Sequence, residues 1–241
     1  MVLLELKNVS KNFGGLQALN NVSFHVNQGE VFGLIGPNGS GKTTLFNCIN
    51  QFFPVSNGQI EFMGKSILKL KPYHICRLGI ARTFQIVKPL SRMTVLDNII
   101  ASTFCHTRKM DQARHEAEEI LKFCGLSVYK DQLSKGLPIG GRKRLEIARA
   151  LATKPKLLLL DETAAGLNPS ELEEAIQLIQ KIKENGVTIL VVEHIMRFIL
   201  TISDRIHAIC FGQTIAQGTP DEVINDQNVI NAYLGEQYAG S

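Results

Sequence analysis

Several features that mark other classes of protein are missing from this chain of 241 residues. Its five cysteines are scattered and form no C-x-x-C pair, which argues against a zinc site and a disulfide scaffold and indicates a reducing compartment. No apolar run approaches the ~20 residues needed to span a bilayer, and the N-terminus shows no signal-peptide pattern. The net charge of +4 is too small to imply nucleic-acid binding by itself. We therefore expect an ordinary soluble globular chain that does not bind nucleic acid.

One nucleotide-binding motif is present in full. Residues 36–44 match the pattern G-x-x-x-x-G-K-[ST], between an apolar strand at Val31–Ile35 and a predicted helix at 43–49. Glycines let such a loop curl, so that its N–H groups and the helix N-terminus converge on phosphate. Lys42 is predicted to bind the β- and γ-phosphates, and the Thr43 hydroxyl to hold Mg²⁺. The predicted phosphate-binding residues are Gly36, Pro37, Asn38, Gly39, Ser40, Gly41, Lys42, Thr43 and Thr44.

A second motif is a run of leucines that ends in two carboxylates, Asp161 and Glu162. In an open α/β sheet, the carboxyl ends of the strands form the edge at which ligands bind. Asp161 is predicted to hold Mg²⁺ directly or through water. Glu162 is predicted to orient and deprotonate an attacking water.

The order of strand and helix patterns predicts the fold class. Strand patterns at 3–9, 22–26 and 58–62 surround the loop, and helical patterns follow at 94–102, 111–123 and 142–151. Strands at 156–160 and 187–192 then flank a helix at 170–183, before a strand pair (205–210, 214–216) and helices at 220–225 and 227–234. This predicts an α/β fold: a P-loop NTPase core with a mainly parallel sheet, an N-terminal antiparallel β region and an inserted helical subdomain. We expect one domain over 1–241, with its core at 1–89 and 153–241 and the helical subdomain at 90–152.

Four further segments complete a known pattern. They are Thr83-Phe84-Gln85, residues 137–151 (LPIGGRKRLEIARAL), Ala165-Gly-Leu-Asn-Pro169 and Val191-Val-Glu-His194. Their order and spacing resemble the ATP-binding subunits of ABC transporters over essentially the whole chain. Within that family, the importer ATPases for branched-chain amino acids are the most similar, on the segments at 13–16, 82–85, 144–149, 164–169 and 229–235.

The resemblance implies a role for individual residues. Phe13 would stack on adenine, Gln85 would contact Mg²⁺ and the attacking water, and Glu162 would be the general base. His194 would hydrogen-bond the γ-phosphate. Two subunits would bind ATP head to tail, with the signature loop of one (Pro138, Gly140, Gly141) and Asn168 contributing to the nucleotide site of the dimer.

The signature loop departs from the family pattern Leu-Ser-Gly-Gly-Gln, because this chain has Leu137-Pro-Ile-Gly-Gly141. Pro138 replaces the serine, so a hydroxyl and a backbone N–H donor are absent. Gly140 is retained, and a helix starting near Arg142 would still offer its N-terminal donors. We expect a weakened contact with the opposite nucleotide. The basic cluster at 142–144 is expected to be a solvated helix face.

The predicted function is ATP hydrolysis that powers import of branched-chain amino acids through a membrane permease. The expected partners are the permease, received by the helical segment and the loop at 86–92, and a second ATPase subunit, identical or paralogous. The expected location is the cytoplasmic face of the inner or plasma membrane, as a peripheral protein. Two alternatives are an ATPase of the lipopolysaccharide-export type and a regulatory cassette that hydrolyses ATP weakly.

Overall fold

The structure, a computed structural model, describes residues 1–83 and 90–239, with side chains described as far as residue 233. The strands are β1 (Val2–Phe13), β2 (Leu16–Asn27), β3 (Val31–Ile35), β4 (Asn57–Phe62), β5 (Lys65–Ser66), β6 (Ile80–Arg82), β7 (Leu157–Asp161), β8 (Thr188–Val192), β9 (Arg205–Cys210) and β10 (Gln213–Gly218). The helices are α1 (Lys42–Ile49), α2 (Pro72–Leu78), α3 (Val95–Thr103), α4 (Met110–Phe123), α5 (Ile139–Leu151), α6 (Pro169–Glu184), α7 (Met196–Ile202), α8 (Pro220–Ile224) and α9 (Gln227–Ala239). Two short 3₁₀ helices lie at Ser127–Tyr129 and Ser134–Gly136.

The strands form two sheets, as the sequence predicts. An antiparallel sheet has the order β2-β1-β4-β5, and a second sheet has the order β10-β9-β3-β8-β7-β6. All pairs in the second sheet are parallel except β9 with β10. Every residue of β3, β7 and β8 is buried, which explains their continuous apolar sequences.

The register of the parallel sheet brings the carboxyl ends of three strands together. Leu34 at the end of β3 pairs with Val192 of β8, and Val192 also pairs with Asp161 at the end of β7. The phosphate loop, the two carboxylates and His194 therefore leave the sheet at the same edge.

The apolar core is made of two clusters of buried side chains. One contains residues of the antiparallel sheet together with α1. The other joins the helices α3, α4 and α5 to the sheet, with Leu145 and Ala148 of α5 in the same cluster as Leu158 and Leu160 of β7. The helical segment thus packs on the sheet. The predicted boundaries of this subdomain, at residues 90 and 152, stay a prediction. In the part of the chain that the structure describes, no helix is both long and apolar enough to cross a membrane.

Helix α5 begins earlier than the sequence indicated. Its first residue is Ile139, with Pro138 as the N-cap, so the predicted start near Arg142 is wrong. Proline lacks a backbone N–H and has a fixed φ, and both properties suit the start of a helix. Gly140 and Gly141 therefore belong to the first turn of α5, despite the low helix propensity of glycine. The short elements α2, β6 and α7 were not predicted.

Candidate active site

The loop between β3 and α1 depends on glycines at fixed places. Gly36, Gly39 and Gly41 have φ of 150°, 75° and 104°. A Cβ at Gly36 would overlap the carbonyl oxygen of Ile209, and one at Gly41 would lie 2.7 Å from the carbonyl oxygen of Ala18. The loop can therefore pack against β9 and β2 only because these residues lack side chains.

The ammonium group of Lys42 lies inside this loop. It donates to the carbonyl oxygens of Gly36 (2.6 Å) and Pro37 (2.8 Å) and lies 3.5 Å from the Ser40 hydroxyl oxygen. Lys42 is buried, so its charge acts where solvent screens it little. Gly36 and Pro37 thus position the lysine.

One cavity of about 370 Å³ joins the predicted adenine, phosphate and catalytic residues. Phe13, Glu162 and His194 line it together with most of the phosphate loop (Asn38, Gly39, Ser40, Gly41, Lys42, Thr43 and Thr44). Its lining also includes residues that the sequence did not indicate: Leu16, Gln17, Ala18 and Phe211. Seven predicted residues that the structure describes are not in the lining: Gly36, Pro37, Pro138, Gly140, Gly141, Asp161 and Asn168. Gln85 lies outside the described residues.

Phe13 presents an aromatic ring at one end of the cavity. Its ring packs edge-on against Phe53, with centroids 5.3 Å apart, and the Lys11 ammonium lies 4.8 Å from its centroid. Phe13 is still 40% exposed, so the ring has a free surface on which a planar base could stack.

The carboxylate of Asp161 is buried at the end of β7. Its Oδ2 accepts a hydrogen bond from Arg82 Nη2 at 2.7 Å, whereas Oδ1 is buried and has no hydrogen-bond partner among the described residues. Thr43 and Asp161 both line a second cavity, of about 670 Å³. A hydroxyl and an unpaired carboxylate oxygen fit Mg²⁺, which is usually held by one or two carboxylates and substrate phosphates.

Glu162 and His194, the two residues predicted to be catalytic, are in contact. Glu162 Oε1 lies 2.8 Å from His194 Nε2, and the Glu162 N–H donates to Val192 O at 2.9 Å. Glu162 has a φ of 50°, a left-handed conformation that is uncommon for a residue with a side chain. Strained backbone of this kind is found at functional sites where the surrounding structure enforces it.

Lys143 of α5 holds the backbone of Glu162. Its Nζ donates to the Glu162 carbonyl oxygen at 2.7 Å. Burial lowers the pKa of Lys143, and the nearby carboxylates of Glu193, Glu162 and Asp161 oppose that shift. The expectation of a solvated basic face is therefore wrong for this residue, since the helix turns it toward the carboxylates.

Glu193, the residue before His194, is hydrogen-bonded to the two residues that follow Glu162. It is 1% exposed, and its Oε1 accepts hydrogen bonds from Ala164 N (2.7 Å) and Thr163 Oγ1 (3.3 Å). Burial raises the pKa of Glu193 to about 7, and the bonds from Ala164 and the His194 backbone limit the rise. Glu193 lies in the segment 191–194 of the family pattern, but no role is predicted for it from the sequence.

The signature residues lie at the N-terminus of α5, where Pro138 and Ile139 are exposed and Gly140 and Gly141 are buried. Ile139 is 55% exposed, and a Cβ at Gly140 would lie 2.6 Å from Glu171 Oε1. Asn168 caps α6, because its Oδ1 accepts the Glu171 N–H at 2.9 Å in a capping box. The first-turn N–H groups of a helix have no partner within the helix and can bind an anion.

The C-terminal helix α9 reaches the phosphate loop. The Gly36 N–H donates to Tyr233 Oη at 2.9 Å, although 197 positions separate the two residues.

We expect Tyr233→Phe to lower the free energy of unfolding by about 1–3 kcal/mol, because a partly buried N–H loses its acceptor, and to weaken ATP binding. Urea denaturation and equilibrium dialysis measure the two effects. Tyr73→Phe, at an exposed tyrosine of α2, is the matched control; equal stability of Tyr233→Phe and wild type would contradict the prediction.

Comparisons with known proteins agree with this geometry. A family model described as ABC transporter matches residues 19–165, and one described as branched-chain amino acid ATP-binding cassette transporter matches residues 213–239. The chain is 39% identical to the high-affinity branched-chain amino acid transport ATP-binding protein LivG of Salmonella typhimurium, covering 97% of this chain and 98% of the relative. It is 37% identical to the high-affinity branched-chain amino acid transport ATP-binding protein BraF of Pseudomonas aeruginosa, covering 97% of this chain and 98% of the relative.

Solved structures are similar as well. A nucleotide-free ATP-binding cassette from an ABC transporter has a TM-score of 0.89 and 34% identity, covering 97% of this chain and 99% of that one. A dimeric ATP-binding cassette in a post-hydrolysis state, bound to ADP and Pi, has a TM-score of 0.81 and 27% identity, covering 90% of this chain and 99% of that one.

Proposed function

The chain belongs to the family of ABC transporter ATP-binding proteins, and we propose that it powers the import of branched-chain amino acids through a membrane permease. The observation that carries the proposal is the single cavity in which Phe13, the phosphate loop, Glu162 and His194 meet. It has the parts that ATP hydrolysis requires, and relatives that are 37–39% identical over nearly their whole length are branched-chain amino acid transport proteins.

The chemistry follows from the arrangement of these side chains. Lys42 and the loop N–H groups would stabilise the charge of the phosphates. Glu162 would accept a proton from the attacking water, and His194 would hold the carboxylate and contact the γ-phosphate. Positioning and charge stabilisation, not covalent chemistry, supply most of the rate enhancement in phosphoryl transfer.

Mg²⁺ would be held by the Thr43 hydroxyl and by Asp161, with Gln85 as a further proposed ligand. Arg82 occupies one oxygen of Asp161 and so leaves the other for the ion or for its water. When bound, the ion would neutralise charge on the β- and γ-phosphates.

A second cassette would complete the site. Pro138, Gly140, Gly141 and Asn168 are absent from the cavity lining of their own chain, and Pro138 and Ile139 at the start of α5 are exposed. Such residues can act on the nucleotide of an opposite subunit in a head-to-tail dimer. The dimeric cassette bound to ADP and Pi supports this assembly.

The permease would dock on the 670 Å³ cavity between the helical segment and the core. Its walls come from α1, α2, β6, α3 and α5, and its lining includes Asn50, Phe52, Pro72, Cys76, Ser102 and Thr153. Thr43 and Asp161 line the same cavity, so a helix seated there would lie beside the proposed Mg²⁺ ligands. We place the chain at the cytoplasmic face of the membrane on this basis.

The altered signature loop should limit turnover. We expect Pro138→Ser to raise the rate of ATP hydrolysis or the lifetime of the closed dimer roughly three- to tenfold, which is what one ordinary hydrogen bond of about 0.5–1.5 kcal/mol supplies. Serine restores a hydroxyl and an N–H and is a favoured N-cap. Pro138→Ala is the control, because it restores the N–H alone. If neither quantity changes in Pro138→Ser, the loop does not limit the reaction.

Uptake of labelled leucine tests the transport function. Deleting the gene for this chain should abolish high-affinity uptake of leucine, isoleucine and valine, and re-expression should restore it. Unchanged uptake together with defective lipopolysaccharide export would instead support the export-type alternative. Restoration of uptake by a chain that does not hydrolyse ATP would support a regulatory cassette.

A further inference from the structure

Phe211 is an exposed aromatic residue at the rim of the ATP cavity. It occupies the two-residue turn between β9 and β10, where Cys210 pairs with Gln213. Its side chain is 87% exposed, yet it lines the same cavity as Phe13 and the phosphate loop. Leu16, which is 67% exposed, lines that cavity too. Three large apolar side chains therefore stand at a cavity whose remaining lining is mostly polar.

The turn itself does not favour phenylalanine. Phe211 has a φ of 46° and Gly212 a φ of 74°, the signs that a type I′ turn requires. Asparagine, aspartate and glycine are the residues preferred there, and a bulky residue with positive φ is an outlier. Because the ring is exposed, it also contributes little hydrophobic stabilisation to the fold. Neither local conformation nor packing accounts for the residue, so a ligand contact is the better explanation.

The backbone holds this turn in place beside the loop. The Gly212 N–H donates to Ser40 O at 2.9 Å, and the Asn20 N–H donates to Gly212 O at 2.8 Å. A Cβ at Gly212 would lie 2.6 Å from the carbonyl oxygen of Ala18, so the close approach to β2 requires glycine. Phe211 is thereby fixed relative to both the phosphate loop and β2.

We propose that Phe211 is a second aromatic contact for the nucleobase, which together with Phe13 forms the base-binding end of the site. This inference rests on the proposed function, since it assumes that the cavity binds ATP. The phosphate loop would bind the triphosphate, and the two rings would contact the purine by stacking or edge packing. Stacking tolerates different bases because every base has a π-face. The pair would therefore add affinity and discriminate little between bases.

Comparing two ligands separates the base from the phosphates. Phe211→Asn removes the ring and supplies a residue that suits positive φ, so the fold should be kept. We expect its Kd for Mg-ATP to rise about five- to tenfold, the lower range of base stacking on one aromatic side chain, while its Kd for Mg-tripolyphosphate stays unchanged. Phe211→Tyr keeps the ring and should restore ATP binding. Phe104→Asn, at an exposed phenylalanine outside the cavity, is the matched control and should bind both ligands as wild type does.

Isothermal titration calorimetry of the full chain gives both constants. An unchanged Kd for ATP in Phe211→Asn would overturn the inference. A parallel loss of tripolyphosphate binding would also overturn it, because the turn would then act through the phosphate loop. If wild type binds tripolyphosphate but does not bind ATP more tightly, the inference about the base is overturned, whereas phosphate binding by the loop stands. If wild type binds neither ligand, the proposed function itself is wrong.

Discussion

Replacing Glu162 with glutamine lowers the rate of ATP hydrolysis by about 10²–10⁴-fold, the usual contribution of a general base, while ATP still binds. The side chain lies at the carboxyl end of β7 with its Oε1 2.8 Å from His194 Nε2. Glutamine keeps the shape and can still hydrogen-bond the histidine, but it cannot accept the proton of the attacking water. Phosphate release at saturating Mg-ATP measures the rate, and calorimetry measures the binding.

The matched control is Glu173→Gln, at an exposed glutamate of α6. Its turnover should equal that of wild type. Residual turnover of Glu162→Gln within a factor of about ten of wild type would assign the general base to another group, because that loss falls below the range expected for one.

Replacing Lys143 with methionine lowers kcat by roughly 10–100-fold, as expected for the loss of one hydrogen bond to a charged group in the transition state. The ammonium donates to the carbonyl oxygen of Glu162, whose φ is 50°, and stands near the carboxylates of Glu193 and Asp161. Without it, the strained backbone loses a restraint and the carboxylates repel one another. Lys143 positions the base and does not touch ATP, so KM should change little.

Two variants make this prediction specific. Lys143→Arg keeps the positive charge and should recover part of kcat, although its planar group is a poor substitute for a point charge. Lys122→Met, at an exposed lysine of α4, should leave kcat unchanged. A loss of unfolding free energy in Lys143→Met without a loss of kcat would show that the lysine serves only the fold.

The central elements of the fold were predictable because local sequence determines them. Continuous apolar runs mark β3, β7 and β8, which are buried on both faces. The helical pattern predicted from residue 94 is α3, which Thr94 caps by accepting the Asp97 N–H. The strand β6 has only three residues, too few for a periodic pattern, and exists because it pairs with β7, which lies far along the chain. The early start of α5 depends on the Pro138 N-cap, which no apolar period reveals.

The candidate site also contains residues that local sequence predicts and residues that it does not. The phosphate loop, Asp161, Glu162 and His194 belong to short contiguous motifs, and the structure places them at one edge of the sheet. Lys143 and Tyr233 lie in segments that resemble the family, but their contacts with Glu162 and Gly36 join distant parts of the chain, and Phe211 lies in none of those segments. Lys143 had a basic neighbour on either side and was predicted to face solvent. The positive φ of Phe211 is visible only in the folded chain.

The position of Mg-ATP in a crystal structure of the Glu162→Gln chain tests the proposed mechanism most directly. The prediction is that adenine lies on Phe13, the phosphates lie in the loop of residues 36–44, and Mg²⁺ is bound by Thr43 and Asp161. Nucleotide bound in the 670 Å³ cavity beside α2, or at any place away from Glu162 and His194, would contradict it.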